Sequence, residues 1–227
     1  MTKDIEPIYE TLKKEIVTLH LKPGSRIREN ELSASFGVSR TPVRDVLKKL
    51  EENGLVRIQS KSGTYVTPID LNTISEVLYL RAYTETEVMI EVAEKASKED
   101  IQAIRDLLKR QDQELENQIP GTLEFADLSF ACDNAFHKAI YSLAHKESML
   151  DFIDEAFPSY SRYRYLTNLR GIEDVKSLEK IHERLLDALQ KKSPEEIRKV
   201  SLEHHLAGLH GIKAVVERHP KYFVQQE

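Results

Sequence analysis

Residues 31–50 carry the pattern that most restricts what this chain can fold into. Leu32 and Phe36 stand four apart, as on the buried side of a short helix, and Gly37 tolerates the positive φ of a sharp helix end. A second helix is predicted to begin after Ser39, a natural N-cap. One apolar stripe at i, i+3, i+4 and i+7 runs along it, formed by Val43, Val46, Leu47 and Leu50. The stretch therefore predicts two helices joined by a tight turn.

The outer face of the second helix is basic. Arg40, Arg44 and Lys48 recur at every fourth position, opposite the apolar stripe. A helix-turn-helix with such a face can lay its second helix in a DNA major groove. A surface helical hairpin with merely solvated charges is the other interpretation of the same pattern.

A predicted β-hairpin follows the helix pair and favours the DNA-binding interpretation. Leu55, Val56 and Ile58 lead into a polar turn, and residues 64–67 form a second short run of β-branched and aromatic residues. A hairpin directly after a recognition helix is a wing. Its tip, at Lys61 and Gly63, suits a close approach of the backbone to phosphate or minor groove.

The charge of the chain is divided unevenly. Residues 20–67 carry nine Lys and Arg against five Asp and Glu, a net of +4, which leaves −9 for the remainder of a chain whose total is −5. Neutralising phosphates needs only a local basic face, so the acidic total does not exclude DNA binding.

Composition indicates a soluble globular protein, with 40% hydrophobic and 31% charged residues. There is no apolar run near the roughly 18 residues of a membrane span, and the first ten residues lack a secretory h-region. The single cysteine, Cys132, fits a reducing compartment. We therefore expect a cytoplasmic protein with no membrane partner.

From residue 71 onward the patterns are helical. They predict one or two helices at the start, a helix opened by a capping box at Ser97, one helix over residues 147–167, and further helices to the end. The predicted fold is mainly α: a winged helix-turn-helix domain over residues 1–69, then an all-α bundle of six or seven helices over residues 70–227.

Four ionisable residues of the bundle form a candidate metal site. Asp133 and His137 are four apart and project from one helix face. His182 and His204 lie 22 residues apart on two helices that can run antiparallel around a loop at 191–194. One carboxylate and three imidazoles leave open positions on an ion such as Zn²⁺, Ni²⁺ or Mn²⁺. The alternative to a metal site is that the four are ordinary surface side chains or hydrogen-bonded core side chains.

The N-terminal third of the chain resembles the DNA-binding domain of the GntR family of bacterial transcription regulators. The residues that carry this resemblance are 21–24 (LKPG), 26–29 (RIRE), 31–32 (EL), 36–44 (FGVSRTPVR) and 54–56 (GLV). It implies base or phosphate contacts by Arg40, Thr41 and Arg44, a phosphate contact by Ser39, and a groove approach by the wing at Lys61 and Gly63. Some members have an Arg where this chain has Asn30, and Arg28 is expected to replace it.

The C-terminal part is similar to the all-helical, effector-binding domain of the FadR-type branch of that family. Asp133 and His137 match its Asp-x-x-x-His element, and His182 and His204 match the remaining two elements, with His205 as an alternative to His204. The resemblance implies a divalent ion, most expected as Zn²⁺ after purification with Ni²⁺ or Mn²⁺ as alternatives, at the base of a ligand cavity. A small carboxylate effector would complete the coordination.

An anionic effector needs facing cations. The resemblance implies this role for Arg81, Arg162 and Arg164. Arg81 could instead pair with Glu85, four residues on, at the surface.

The predicted function is a homodimeric transcription regulator, and not an enzyme. It is expected to act as a repressor on a pseudo-palindromic double-stranded operator, with its DNA affinity set by the effector. When bound to the operator it would be associated with the nucleoid. One alternative is a regulator with an apolar or acyl ligand and no exchangeable metal. The other is a metal-dependent hydrolase, for which the sequence gives no evident additional carboxylate as general base.

Overall fold

The computed structural model describes residues 5–169, 172–207, 209 and 212–224. The predicted mainly α fold with a winged helix-turn-helix is confirmed. The chain divides into two compact units, which we call the winged unit and the helical unit. The winged unit comprises Met1–Ile74, Glu155–Tyr163 and Lys213–Glu227, and the helical unit comprises Ser75–Asp154 and Arg164–Ile212. The predicted domain boundary between residues 69 and 70 stays a prediction.

Up to residue 66, the winged unit contains three helices and a small antiparallel sheet. Its first elements are α1 (Glu6–Val17), β1 (Arg26–Ile27), α2 (Glu29–Phe36), α3 (Arg40–Glu52), β2 (Val56–Gln59) and β3 (Gly63–Val66). The apolar stripe of α3 is fully buried and packs with Ile8, Leu12 and Ile16 of α1. The periodicity of α3 therefore fixes which face stays outside.

The turn between α2 and α3 has the predicted chemistry. Gly37 ends α2 with φ +60°, and the N–H of Val38 donates to the carbonyl of Ser33 at 3.1 Å, which closes the helix end. The sheet, in the order β1-β3-β2, has one strand more than predicted. The additional strand, β1, has only two residues, which is too short to show a periodicity in the sequence.

The segment that follows the wing is pinned inside the winged unit. Ile69 pairs with Phe223, its N–H donating to the carbonyl of Tyr222 at 2.7 Å. The carboxylate of Asp70 accepts from the N–H of Asn72 and the hydroxyl of Thr73, so it caps the next helix. Ile69 and Asp70 are therefore both held by hydrogen bonds.

The remaining elements are helical. They are α4 (Leu71–Lys95), α5 (Lys98–Glu116), α6 (Leu123–Leu143), α7 (Glu147–Ala156), α8 (Pro158–Asn168), α9 (Ile172–Gln190), α10 (Pro194–Ala207), α11 (Ile212–Arg218) and a 3₁₀ turn at Pro220–Tyr222. The capping box at Ser97 is confirmed, since its hydroxyl and the carboxylate of Asp100 cap each other's backbone N–H. The single helix predicted over residues 147–167 is instead two, because Pro158 begins a new helix after Phe157.

The core of the helical unit lies among α4, α5, α6, α9 and α10. It is built from apolar side chains that include Met89, Ile104, Phe136, Ile140, Leu185, Leu186 and Ile197. Among the described residues, no helix is both long and apolar enough to cross a membrane.

Candidate metal centre and nucleic-acid interface

The helical unit brings four potential metal ligands together. Asp133 and His137 lie on α6, His182 on α9 and His204 on α10, and one ligand atom from each falls within 4.8 Å of all the others. The three imidazoles are buried and the carboxylate is nearly so. Spacing on one helix fixes the first pair, and the packing of α9 against α10 supplies the other two.

The four side chains point donor atoms at a common centre. Oδ1 of Asp133 lies 3.5 Å from Nε2 of His137 and 3.5 Å from Nε2 of His182, and Nε2 of His204 lies 3.3 Å from Nε2 of His137. In the described part of the chain, Asp133 Oδ1 and His182 Nε2 are buried without a hydrogen-bond partner of good geometry. Buried polar atoms are nearly always satisfied, so this donor set of three nitrogens and one oxygen fits a divalent ion.

A buried carboxylate lies directly behind this cluster. Glu85 of α4 is fully buried, and its Oε1 contacts Nδ1 of His137. Its Oε2 accepts from Arg81 at 3.1 Å and lies 3.4 Å from Nε2 of His205. With Nδ1 turned to Glu85, His137 presents Nε2 to the cluster, as a carboxylate behind a metal-binding histidine does.

The electrostatics of the cluster favour neutral imidazoles on two of its three histidines. Burial lowers the pKa of His182 to about 4. Burial and the neighbouring imidazoles hold the pKa of His204 well below its usual value. Burial opposes ionisation of Glu85, but the charges of His137 and Arg81 hold the pKa of that carboxyl well below its usual range. The same Glu85 raises the pKa of His137, against the effect of burial.

Asp133 is held ionised by a second cation. Burial opposes its charge, but the guanidinium of Arg164 holds the pKa of Asp133 well below its usual range. Arg164 donates to Oδ2 of this carboxylate, which leaves Oδ1 for the cluster. Arg164 thus lies at the predicted site.

The structure places the other two predicted effector arginines differently. Arg81 pairs with Glu85, which was the alternative to an effector role. The pair lies in the interior and not at the surface, since the two side chains are 1% and 0% exposed. Arg162 lies in the winged unit, where it donates to the carbonyl of Thr67 at 2.6 Å and to the hydroxyl of Ser159 at 3.0 Å. The effector roles of both arginines stay predictions.

The two neighbouring histidines of α10 face different groups. His204 turns its Nε2 to the cluster, whereas Nδ1 of His205 lies 2.7 Å from the carbonyl of Ser201 and its Nε2 faces Glu85. This arrangement favours His204 over His205 as the third histidine ligand.

A cavity among α5, α6 and α9 adjoins the cluster. It is partly open to solvent, and Asp133 and His182 lie at one part of its wall. The other described lining residues are Leu108, Gln111, Asp112, Leu115, Ser129, Cys132, Leu178 and Glu179. A small molecule that enters the cavity would reach the cluster from this side.

Two carboxyl groups on that wall share a hydrogen bond. They belong to Asp112 of α5 and Glu179 of α9. Burial and the charge of Asp112 raise the pKa of Glu179 to about 7, and burial also raises the pKa of Asp112. A pair of this kind keeps a proton to a higher pH than either carboxyl would alone.

The winged unit presents the predicted nucleic-acid face. Arg40, Thr41 and Arg44 are exposed on the first turns of α3, and Ser39 precedes the helix in an extended conformation. Two of the arginines predicted to contact DNA form exposed ion pairs within the winged unit. Arg44 pairs with Glu29 at 2.9 Å, and Arg28 pairs with Glu31 at 2.8 Å. Such pairs contribute little, about 0–1 kcal/mol, so phosphate can displace them.

The wing tip needs its glycine for an internal reason as well. Lys61 has φ +64° and Gly63 has φ +125°, and both are at the tip between β2 and β3. A Cβ at Gly63 would lie 2.8 Å from Nε of Arg26, so a side chain there would displace that guanidinium.

Sequence reasoning missed three residues beside the cluster: Glu85 as a buried partner of His137, and the pair of Asp112 and Glu179. Glu85 had a usable signal, since it stands four residues after Arg81 and one face of α4 would hold both. The pair had none, because helices far apart in sequence supply its two members.

Comparisons with known proteins identify the family of each region. The family model "Bacterial regulatory proteins, gntR family" matches residues 5–66, and the model "FCD domain" matches residues 76–207, more than half of the chain. The two matches correspond to the regions with the helix-turn-helix and with the four-residue cluster.

Relatives of similar length are transcription regulators. The chain is 26% identical over 209 residues to the HTH-type transcriptional regulator YdhC of Bacillus subtilis (strain 168), covering 92% of this chain and 91% of YdhC. It is 24% identical over 221 residues to the HTH-type transcriptional repressor RspR of Escherichia coli (strain K12), covering 97% and 94%.

Solved structures share the fold. E. coli McbR/YncC has a TM-score of 0.72 at 20% identity, covering 96% of this chain and 100% of that one. A GntR regulator from Rhodococcus sp. RHA1, described as a putative transcriptional regulator, has a TM-score of 0.71 at 18% identity, covering 92% and 98%. Family and relatives are regulators and not enzymes. The chain is therefore a member of the GntR family of bacterial transcription regulators, with an N-terminal GntR helix-turn-helix domain and a C-terminal FCD domain.

Proposed function

We propose that this regulator binds a pseudo-palindromic operator as a homodimer and represses transcription, and that a small carboxylate metabolite controls its DNA affinity from a divalent metal site in the helical unit. Repression is supported by the likeness to RspR, whose name describes a repressor. The single observation that carries the metal part is the convergence of Asp133, His137, His182 and His204.

The residues around the cluster support a rigid, cation-selective site. Glu85 fixes His137 with Nε2 inward, and Arg164 fixes Asp133 with Oδ1 inward. Neutral His182 and His204 can donate lone pairs at neutral pH without first losing a proton. A bound ion would supply positive charge and open positions for a carboxylate.

Among the three predicted effector arginines, we assign the direct role to Arg164. It lies against Asp133, so its positive charge adds to that of an ion at the cluster. Arg81 acts through Glu85, because it holds in place the carboxylate that orients His137.

On the DNA side, we propose that α3 enters the major groove with Arg40, Thr41 and Arg44 foremost, and that Ser39, Arg28 and the wing contact phosphates. The exposure of these side chains opposite a fully buried stripe supports the orientation. An effector changes DNA affinity only if it binds two states of the protein differently, a coupling that typically amounts to 1–3 kcal/mol.

Arginine-to-alanine substitution on α3 tests the DNA assignment. We expect Arg40→Ala and Arg44→Ala each to weaken operator binding by about 1–3 kcal/mol, because each removes a base or phosphate contact. Electrophoretic shift on a duplex selected by the wild type from random sequence is the measurement. Arg110→Ala, an exposed arginine of α5 in the helical unit, is the matched control and should bind as wild type does. Unchanged affinity in both α3 variants would refute the assignment.

A further inference from the structure

The cavity beside the cluster has two chemically different regions. Asp133 and His182 belong to the cluster, where the carboxylate of an effector is proposed to bind. Gln111, Asp112 and Glu179 form a second region, which we call the acceptor wall. Among the described lining residues there is no Lys or Arg, so the acceptor wall offers hydrogen-bond acceptors and negative charge to anything inside the cavity.

Gln111 points to a ligand independently of the two carboxyls. Its side chain is only 9% exposed, and its Oε1 is buried without a hydrogen-bond partner in the part of the chain that the structure describes. A buried amide oxygen without a donor is rare in folded proteins. Gln111 lines the cavity, so a donor bound beside it could satisfy this oxygen.

The carboxyl groups of Asp112 and Glu179 add negative charge and further hydrogen-bond acceptors to the cavity wall. Asp112 and Glu179 bond to each other, and the charged groups that also act on the pair are Lys176 of α9 and Glu116 of α5. Lys176 is exposed, and its charge acts on both carboxyls from outside the cavity lining. An ammonium group has three donors, and it binds carboxylates by charge-assisted hydrogen bonds, which are stronger than neutral ones.

We propose that the effector is a small amino carboxylate, a zwitterion whose carboxylate binds at the Asp133–His182 end of the cavity and whose ammonium donates to Gln111, Asp112 and Glu179. This rests on the proposed function, because it assumes the carboxylate end at the cluster. The ammonium end is argued from the acceptor wall alone.

Helix geometry limits the length of the ligand. Glu179 and His182 are three residues apart on α9, a rise of about 4.5 Å, and both line the cavity. Straight chains with roughly two to four methylene groups between the charged ends span this distance. Suitable probes are γ-aminobutyrate and δ-aminovalerate, each compared with the same acid without its amino group, butyrate and valerate.

Calorimetric titration of the full, metal-loaded chain with these matched pairs tests the proposal. We expect the better amino acid to bind roughly tenfold to hundredfold more tightly than its unsubstituted partner. The isosteric double variant Asp112→Asn with Glu179→Gln should lose this preference while it still binds valerate. Glu116→Gln removes a nearby exposed charge that does not line the cavity, and it should keep the preference.

The outcomes separate the two proposals. Equal binding of amino and unsubstituted acids by the wild type, or an unchanged preference in the double variant, would overturn the ammonium site and leave the metal-bound carboxylate standing. No metal-dependent binding of any of the four acids would overturn both. The comparison within the wild type needs no variant, so it decides the question even if the double variant fails to fold.

Discussion

Glu85→Ala is expected to lower the free energy of unfolding by about 3–5 kcal/mol, the usual result of removing one partner from a buried ion pair. Its carboxylate is fully buried between Arg81 and His137, and it also faces His205. Alanine would leave the guanidinium of Arg81 in the interior without this carboxylate, and would free His137 to rotate. The effect arises from desolvated charge, so salt should alter it little.

Urea unfolding followed by circular dichroism in the presence of EDTA is the measurement, because chelation removes any contribution of bound metal. The matched control is Glu87→Ala, two residues further along α4, whose pair with Arg198 at 3.0 Å is exposed. That pair should contribute about 0–1 kcal/mol. Equal losses in the two variants would show that the interior pair of Glu85 does not have the stabilising role given to it here.

The second large effect concerns the ligands themselves. His182→Ala should reduce divalent metal affinity by at least about 100-fold, since even changes behind a ligand typically cost 10–100-fold. Elemental analysis of purified protein should find close to one divalent ion per chain in the wild type and a marked loss in the variant. His145→Asn is the control: His145 is exposed with φ +56°, a conformation that asparagine tolerates.

Two further variants decide which histidine of α10 takes part. His204→Gln should lose the ion, and His205→Gln should retain it at reduced affinity, because His205 contacts the cluster only through Glu85. Retention of full metal content by His182→Ala, or the reverse order for His204 and His205, would contradict the ligand assignment.

The winged unit was readable from sequence because local patterns determine it. The stripe of α3, the glycine after α2 and the short β-branched and aromatic runs of the wing each involve residues a few positions apart, and the helix pair and the wing are confirmed. The third strand, Arg26–Ile27, was not readable, since it forms only by pairing with β3. Pro158 was not recognised as the start of a new helix within residues 147–167.

Burial and helix packing explain why several roles at the site were not predictable from the sequence. The spacing of Arg81 and Glu85 indicates a pair but not its depth, and depth makes Glu85 a support for His137 and not a surface charge. Arg162 and Arg164 are two apart on α8, so they point to nearly opposite sides of it, and only Arg164 reaches Asp133. Asp112 and Glu179 meet only after α5 and α9 pack.

The central claim is that a carboxylate at the metal cluster changes DNA affinity. Its most direct test is fluorescence anisotropy of a labelled operator duplex, with metal-loaded protein titrated in the presence of small mono-, di- and amino carboxylates. At least one of them is expected to weaken operator binding about 5–150-fold in the wild type and to have no effect on His182→Ala. Operator affinity that no carboxylate changes, or that changes equally in His182→Ala, would contradict it.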